Sequence, residues 1–306
     1  MCGYTQSADF IYGETTCEAK KKTWEVLNTH HPVHVMQIPQ KKDEKSMVLW
    51  GKEVEEFNTH IEEVAGRELS FEEMKNATEI INAKRAALRR LDKLRGMYPD
   101  IVPISGKDGL LISQISFVDE PMRFTEMLNE LCDELEKRVS QKSSVFDSDT
   151  ARLMVLGTPF AAPNWKLHHI VETSGGAIIN EESCIGHRYY KDDVELDGVG
   201  TKEELTARMM QRYKKIDCAC FTPNEERIQK IVSMFKEREA DGVIYYTLSF
   251  CHTYNVESFL VEKALKAEGI PYLAIESDYS PEDAGQIKTR VEAFIESVKA
   301  KKQAKA

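Results

Sequence analysis

The sequence predicts an α/β protein built on parallel sheets. From Gly242 to Val298 an apolar run (Val243 to Thr247), a helical pattern (Val256 to Gly269), a second apolar run (Tyr272 to Ile275) and a closing helical pattern from Gly285 form one βαβα unit. Short apolar runs separated by helices belong to parallel sheets, because parallel strands need a long crossover between them. The same alternation recurs upstream from Leu153 and again at the start of the chain. In such sheets chemistry gathers beyond the carboxyl ends of the strands, and Cys251 and the Glu276/Asp278 pair stand at two of those ends.

Taken in order, Ala8 to Tyr12 reads as a strand, followed by Gly13-Glu-Thr-Thr-Cys17 and a helix from Glu18 to Leu27. Thr16 is the expected N-cap, which puts Cys17 in the first helical turn, where exposed N–H groups and the helix dipole favour a thiolate. His34 to Ile38 is the next strand. Residues 45–98 carry long amphipathic helical patterns, the second opened by the capping box Ser70-x-x-Glu73. Pro103 to Gly109 reads as a linker, helix returns from Glu120 to Gln141, and polar Ser143 to Asp149 marks the boundary between two domains, 1–149 and 150–306.

The second half reads as a strand at Leu153 to Leu156, a helix at Trp165 to Thr173 and a short strand at Ala177 to Ile179 that gives way to Glu181-Glu-Ser-Cys184. Helices follow at Thr201 to Tyr213 and Glu225 to Arg238, around a loop Cys218-Ala-Cys220-Phe-Thr-Pro-Asn. The βαβα unit completes the sheet, and the Lys/Ala-rich tail after Lys299 is expected to fray.

With 306 residues, 42% of them hydrophobic and 30% charged, the chain has the composition of a globular protein with about two domains. A net charge of −10 argues against a nucleic-acid-binding surface. No apolar run approaches the ~18 residues of a spanning helix, and no signal peptide is recognised, so the expectation is a cytoplasmic protein with no membrane partner. There is no GxGxxG and no P-loop, which removes the usual routes to NAD or ATP binding.

Seven cysteines in a chain without a secretion signal point to metal binding, catalysis or burial and not to disulfides. Cys132 belongs to the apolar stripe Met127, Leu128, Leu131, Cys132, Leu135 and reads as core. Cys17, Cys184 and Cys251 instead fall just past predicted strands, a placement that packing does not require. Cysteines converging from several loops suit an iron–sulfur cluster or zinc. Zinc would favour paired C-x₂-C knuckles, which are absent, and Cys218-x-Cys220 alone is compatible with a ligand, a redox pair or burial. Spacing leaves cluster, zinc and burial open. Lys20 to Lys22, His168-His169 and Glu276 read as ordinary surface or capping groups, whereas Glu182 is a candidate for acid–base work.

Several stretches also resemble a known family. Gly13-Glu-Thr-Thr-Cys17-Glu-Ala-Lys-Lys-Lys is similar to the GETTCDGKKK element of the 2-hydroxyacyl-CoA dehydratase family, which includes benzoyl-CoA reductase subunits. Phe250-Cys251-His-Thr-Tyr-Asn and Ile275-Glu-Ser-Asp-Tyr, with Gly285-Gln-Ile-Lys-Thr-Arg, resemble its C-terminal signature. Asn164-Trp-Lys-Leu-His-His, Glu181-Glu-Ser-Cys184-Ile-Gly-His-Arg-Tyr-Tyr and Cys218-Ala-Cys-Phe-Thr-Pro-Asn look most like its double-cubane-cluster reductases.

The resemblance implies two Rossmann-like doubly wound domains with a helical segment between them, the first shortened relative to the family. It implies an iron–sulfur cofactor, either a 4Fe–4S cubane on Cys2, Cys17 and Cys251 or a double-cubane 8Fe–9S cluster that adds Cys184, Cys218 and Cys220. It places Glu182 and His252 as the candidate catalytic residues. The implied activity is ATP-dependent, low-potential reduction of a small substrate under anaerobic conditions. The alternatives are reductive dehydration of a 2-hydroxyacyl-CoA, where a ketyl radical acidifies the β-proton, and a non-catalytic subunit that pairs with a full-length paralogue. The implied partners are an ATP-hydrolysing iron–sulfur activase and a second subunit, giving a homodimer or heterodimer, with an acyl-CoA among the candidate substrates. One departure is Thr158, which stands where the double-cubane branch carries a cysteine.

Overall fold

The computed structural model describes residues 3–304. In chain order the elements are α1 (Gly3–Ser7), β1 (Ile11–Glu14), α2 (Glu18–Leu27), β2 (Val33–Met36), α3 (Glu44–Ala65), α4 (Phe71–Gly96), α5 (Gly106–Ile115), α6 (Pro121–Ser140) and β3 (Ala151–Gly157). They continue with α7 (Lys166–Thr173), β4 (Gly176–Glu182), α8 (His187–Tyr190), α9 (Lys202–Lys214), α10 (Glu225–Glu237), β5 (Gly242–Leu248), α11 (His252–Ala267), β6 (Tyr272–Ser277) and α12 (Ala284–Gln303). The chain divides into two compact units, one formed by Met1–Thr78 with Val194–Asn224, the other by Glu79–Asp193 with Glu225–Ala306.

In the first unit β1 and β2 pair in parallel, from Ile11 opposite Val33 to Glu14 opposite Met36, with α2 as the crossover. Only glycine fits at position 13, because a Cβ there would lie 2.5 Å from the Trp24 ring of α2. The Trp24 indole also donates to the Glu14 carbonyl at 2.9 Å, which seats α2 on β1. Helix α3 is capped by Asp43, whose carboxylate accepts from the Ser46 N–H at 2.9 Å, and it stops at Gly66 with φ 66°. Across from it, α9 is held by Asn58 donating to Thr206 Oγ1 at 3.2 Å, by the Lys202–Glu62 ion pair and by Trp50 meeting Tyr213 edge to face at 5.4 Å. The capping box before α4 is present: Ser70 N–H donates to Glu73 at 2.9 Å and Glu73 N–H to Ser70 Oγ at 3.3 Å.

The second unit is a four-stranded sheet in the order β4-β3-β5-β6, every neighbouring pair parallel. Successive strand side chains alternate between faces. Leu153, Val155, Ile244 and Tyr246 pack on one face with Leu167 and Val171 of α7 and Ile287 and Val291 of α12. Tyr245 faces the other way, where Arg227 of α10 lies over its ring at 5.9 Å and its hydroxyl donates to the Tyr254 carbonyl of α11 at 3.2 Å. Helices therefore cover both faces, as a parallel sheet requires, and the α/β class with parallel sheets is the one observed. A separate cluster joins Leu88 and Leu91 of α4 to Phe124, Leu128, Cys132 and Leu135 of α6.

Four local expectations differ from the structure. Cys17, not Thr16, is the N-cap of α2: its backbone is extended (φ −154°, ψ 165°) and its carbonyl accepts from the Lys21 N–H, so the thiol sits at the helix entrance and not within the first turn. The expected linker at 103–109 contains the start of α5, opened by Ser105 accepting from the Asp108 N–H at 3.0 Å. Strand β4 runs on through Glu181 and Glu182 because both carboxylates find buried cations. The tail after Lys299 remains helical to Gln303, where Lys299 reaches Asp149 at 3.1 Å and Lys302 reaches Asp241 at 3.1 Å.

Gly157 ends β3 with φ 116°, and a Cβ on it would lie 2.1 Å from the Tyr246 carbonyl oxygen of β5. Gly157→Ala is therefore expected to destabilise the protein by about 3 kcal/mol, from a disallowed backbone and a clash with a fixed strand. A denaturant titration that left the midpoint unchanged would refute this account of the turn.

Candidate functional site

At the carboxyl end of β4 two adjacent carboxylates are buried on opposite faces of the sheet. Glu181 is held by Arg95, with guanidinium N–H donors 2.8 Å from each oxygen, and its Oε1 lies 3.0 Å from His168 Nε2. His168, read from sequence as helix surface, is 0% exposed and fixes α7 to this strand. Burial pushes the Glu181 carboxyl up, but Arg95 and the His168 hydrogen bond outweigh it and hold it at about 2.

Glu182 points the other way. Arg227 donates to its Oε2 at 2.7 Å, and Arg188 Nε stands 3.1 Å from its Oε1. Arg227 also pairs with Glu257 of α11, and Arg188 donates to the Tyr254 hydroxyl and, at 2.6 Å, to the Gly157 carbonyl. Arg188 and Arg227 thus tie the ends of β3 and β4 to α10 and α11. A third buried pair, Asp92 with Arg238, is flanked by Asn180 donating to Asp92 at 2.9 Å and by His187 at 3.6 Å. Sequence reasoning missed these arginines. The available signal was the run of acidic residues that continues an apolar strand, since carboxylates buried there require cations.

The thiols occupy the edges that this network fixes. Cys184 is exposed and follows β4 by two residues, and Cys251 follows β5 by three and N-caps α11. Since β3 lies between β4 and β5, both belong to one carboxyl edge of the sheet. Phe250, just before Cys251, is held at φ 68° with 83% of its surface exposed. An aromatic residue in the left-handed region is strained, and here it turns the chain from β5 into α11. His252, the first residue of α11, is exposed. Thr158 is buried, donating to the Tyr246 carbonyl at 3.3 Å and accepting from the Leu248 N–H at 3.1 Å, so it pins the β3 end to β5.

In the first unit Cys17 stands three residues beyond β1 at the entrance of α2. Cys218 and Cys220 lie beyond α9 and line one cavity of about 370 Å³. Cys2 lies outside the described residues. Cys132 is fully buried in α6, and burial pushes its thiol up to about 11, the opposite of what a ligand or nucleophile needs. Among the described residues no three His, Cys, Asp or Glu side chains are gathered around a point that a single metal ion would occupy.

Fold and site together define a parallel-sheet α/β protein that presents thiols at strand ends braced by buried ion pairs. The chain belongs to the family described as 2-hydroxyglutaryl-CoA dehydratase, D-component, whose model matches residues 1–298. It is 34% identical over 301 residues to the putative dehydratase subunit YjiM of Escherichia coli, covering 96% of this chain and 76% of that protein. It is 27% identical over 246 residues to the beta subunit of (R)-2-hydroxyglutaryl-CoA dehydratase from Acidaminococcus fermentans, spanning 62% of that protein and using 79% of this chain. It is 20% identical over 304 residues to one of the benzoyl-CoA reductase subunits of Thauera aromatica, covering 97% of this chain and 77% of that protein. These relatives are dehydratase and reductase subunits. No helix among the described residues is long and apolar enough to cross a membrane.

The Glu181–Arg95 pair sets a pH dependence. Its folded carboxyl titrates near 2 against an ordinary 4.5, so its stabilisation is complete above about 4.5 and is lost as pH falls from there towards 2. Glu181→Gln leaves Arg95 buried without a counter-charge and is expected to cost about 3–5 kcal/mol at neutral pH. It should also flatten the stability profile between these two pH values, measured by urea unfolding. An unchanged acid limb would refute the assignment.

Proposed function

We propose that this chain is a cluster-bearing subunit of the dehydratase and reductase kind, serving low-potential reduction of a small substrate. The observation that carries the reading is a repeated placement. Cys17 after β1 and Cys251 after β5 each stand at the junction of a parallel strand and the helix that follows, within different units. The candidate thiolates are Cys2, Cys17, Cys184, Cys218, Cys220 and Cys251. A thiolate-held iron–sulfur cluster supplies single electrons at potentials down to several hundred millivolts negative.

The chain's own residues would prepare that chemistry in three ways. Cys17 and Cys251 present their thiols at the entrances of α2 and α11. The Arg188–Glu182–Arg227 network fixes the edge that carries Cys184 and Cys251, so Glu182 serves in this reading by holding the scaffold, both of its oxygens being engaged. His252, exposed beside Cys251, is the accessible proton carrier. The sequence offers no P-loop, so the energy for a low potential would come from an ATP-hydrolysing activase, and a second subunit accords with the relatives' being named as subunits.

Anaerobic purification with iron and sulfide counted per chain tests the cofactor: about four irons fit a cubane and about eight a double cubane, while none would sink the proposal. Cys17→Ala and Cys251→Ala are each expected to abolish the broad visible absorbance near ~400 nm of a thiolate-bound cluster, and Cys132→Ala to leave it intact. Thr158→Cys is expected to raise iron per chain if the larger cluster lacks only that ligand. Reduction of substrate should require activase and ATP together, so turnover with NADH alone would contradict the electron route.

A further inference from the structure

The cavity of the first unit is the feature that the proposed function does not absorb. Its volume is about 370 Å³, within the range of about 300–1,000 Å³ usual for small-molecule sites. It is more than twice the ~150 Å³ of an engineered apolar cavity that takes benzene. Its wall is apolar, with Met36, Ile38, Met47, Phe57 and Met209 contributing side chains that adapt to a guest. Two polar features interrupt that wall. Trp50 also lines the cavity at 8% exposure, and its indole N–H is buried without a hydrogen-bond acceptor. A buried donor left unmet is costly in a native fold and calls for an acceptor.

The second polar feature is charge. Lys41, Lys42 and Lys214 belong to the cavity, and Lys41 and Lys214 are exposed and make no ion pair among the described residues. Lys42 is directed to Asp217 at 3.8 Å and over the Phe221 ring at 4.9 Å. Glu14 is the one acidic residue among the described lining residues, and it is paired with Lys20. The charge that the lining leaves for a guest is therefore positive.

We infer that this cavity binds an apolar organic carboxylate, with an aryl or medium alkyl body inside, its charge towards Lys41 and Lys214 and a ligand oxygen accepting from Trp50. Cys218 and Cys220 stand in the same wall. As a binding site the cavity stands by itself. As the substrate site of the reduction it rests on the proposed function, which would bring those thiolates next to the guest.

The test is calorimetric titration of the full chain with 3-phenylpropanoate and with the neutral 3-phenylpropan-1-ol, on anaerobically purified protein whose iron is counted separately. Saturable binding of the acid at least tenfold tighter than the alcohol is expected. Trp50→Phe, which keeps the ring and removes the N–H, should weaken the acid roughly three- to tenfold. The Lys41→Ala/Lys214→Ala double variant should weaken the acid and remove its salt dependence without affecting the alcohol. Met209→Trp, filling the cavity, should abolish binding, and the surface lysine variant carries the test if Met209→Trp does not fold. Absence of saturable binding, equal affinity for acid and alcohol, or a lysine variant that binds the acid as tightly as the wild type would overturn the inference. Iron-loaded protein that binds no acid refutes the cavity alone, and iron-free protein that binds it refutes the cluster alone.

Discussion

Two adjacent carboxylates at the end of one strand hold the second unit together. Glu181 and Glu182 alternate to opposite faces of β4, so one strand end draws cations from both helical layers. Arg95 and His168 close on the first, Arg188 and Arg227 on the second. Charges buried this deeply are stable only when every partner is in place, and losing one partner costs several kcal/mol. The pair therefore imposes geometry: α4 and α7 on one side, α8, α10 and α11 on the other, must sit where the guanidinium and imidazole groups reach.

That constraint passes directly to the thiols. Arg188 donates to the Gly157 and Glu182 carbonyls and to the Tyr254 hydroxyl, and Arg227 reaches Glu257, so the same side chains fix the loop exits of β3 and β4 and the start of α11. Thr158 adds its hydroxyl between β3 and β5. Cys184 and Cys251 then emerge from a braced edge while remaining at least partly accessible, which is what ligation needs. Cys132, packed among leucines without a neighbouring backbone donor array, shows the contrasting use of the same residue type.

In the first unit the two-stranded sheet is organised by Gly13 and Trp24 and the helices by caps and paired side chains, with Arg212 and Asp217 buried and Lys42 directed to Asp217. Its apolar cavity is lined by both methionines and branched side chains, Met36, Met47 and Met209 with Ile38, Val54 and Ile216.

Much of the fold was legible in the sequence, because strand and helix periodicities are local. The βαβα unit from Gly242, helices α2, α6 and α9, and the capping box at Ser70 all followed from residue spacing, as did the positions of Cys17, Cys184 and Cys251 beyond strands. The family resemblance was carried by short motifs around those same cysteines. What the sequence could not supply was the length of β4, the burial of His168, the role of Arg95, Arg188 and Arg227, and the membership of the two units. Acidic residues end a strand when they face water and extend it when an arginine eighty or more positions earlier, or forty-five later, is folded against them. The choice between these outcomes depends on desolvation and pairing across distant segments, a free energy that exists only once the tertiary structure has brought the charges together.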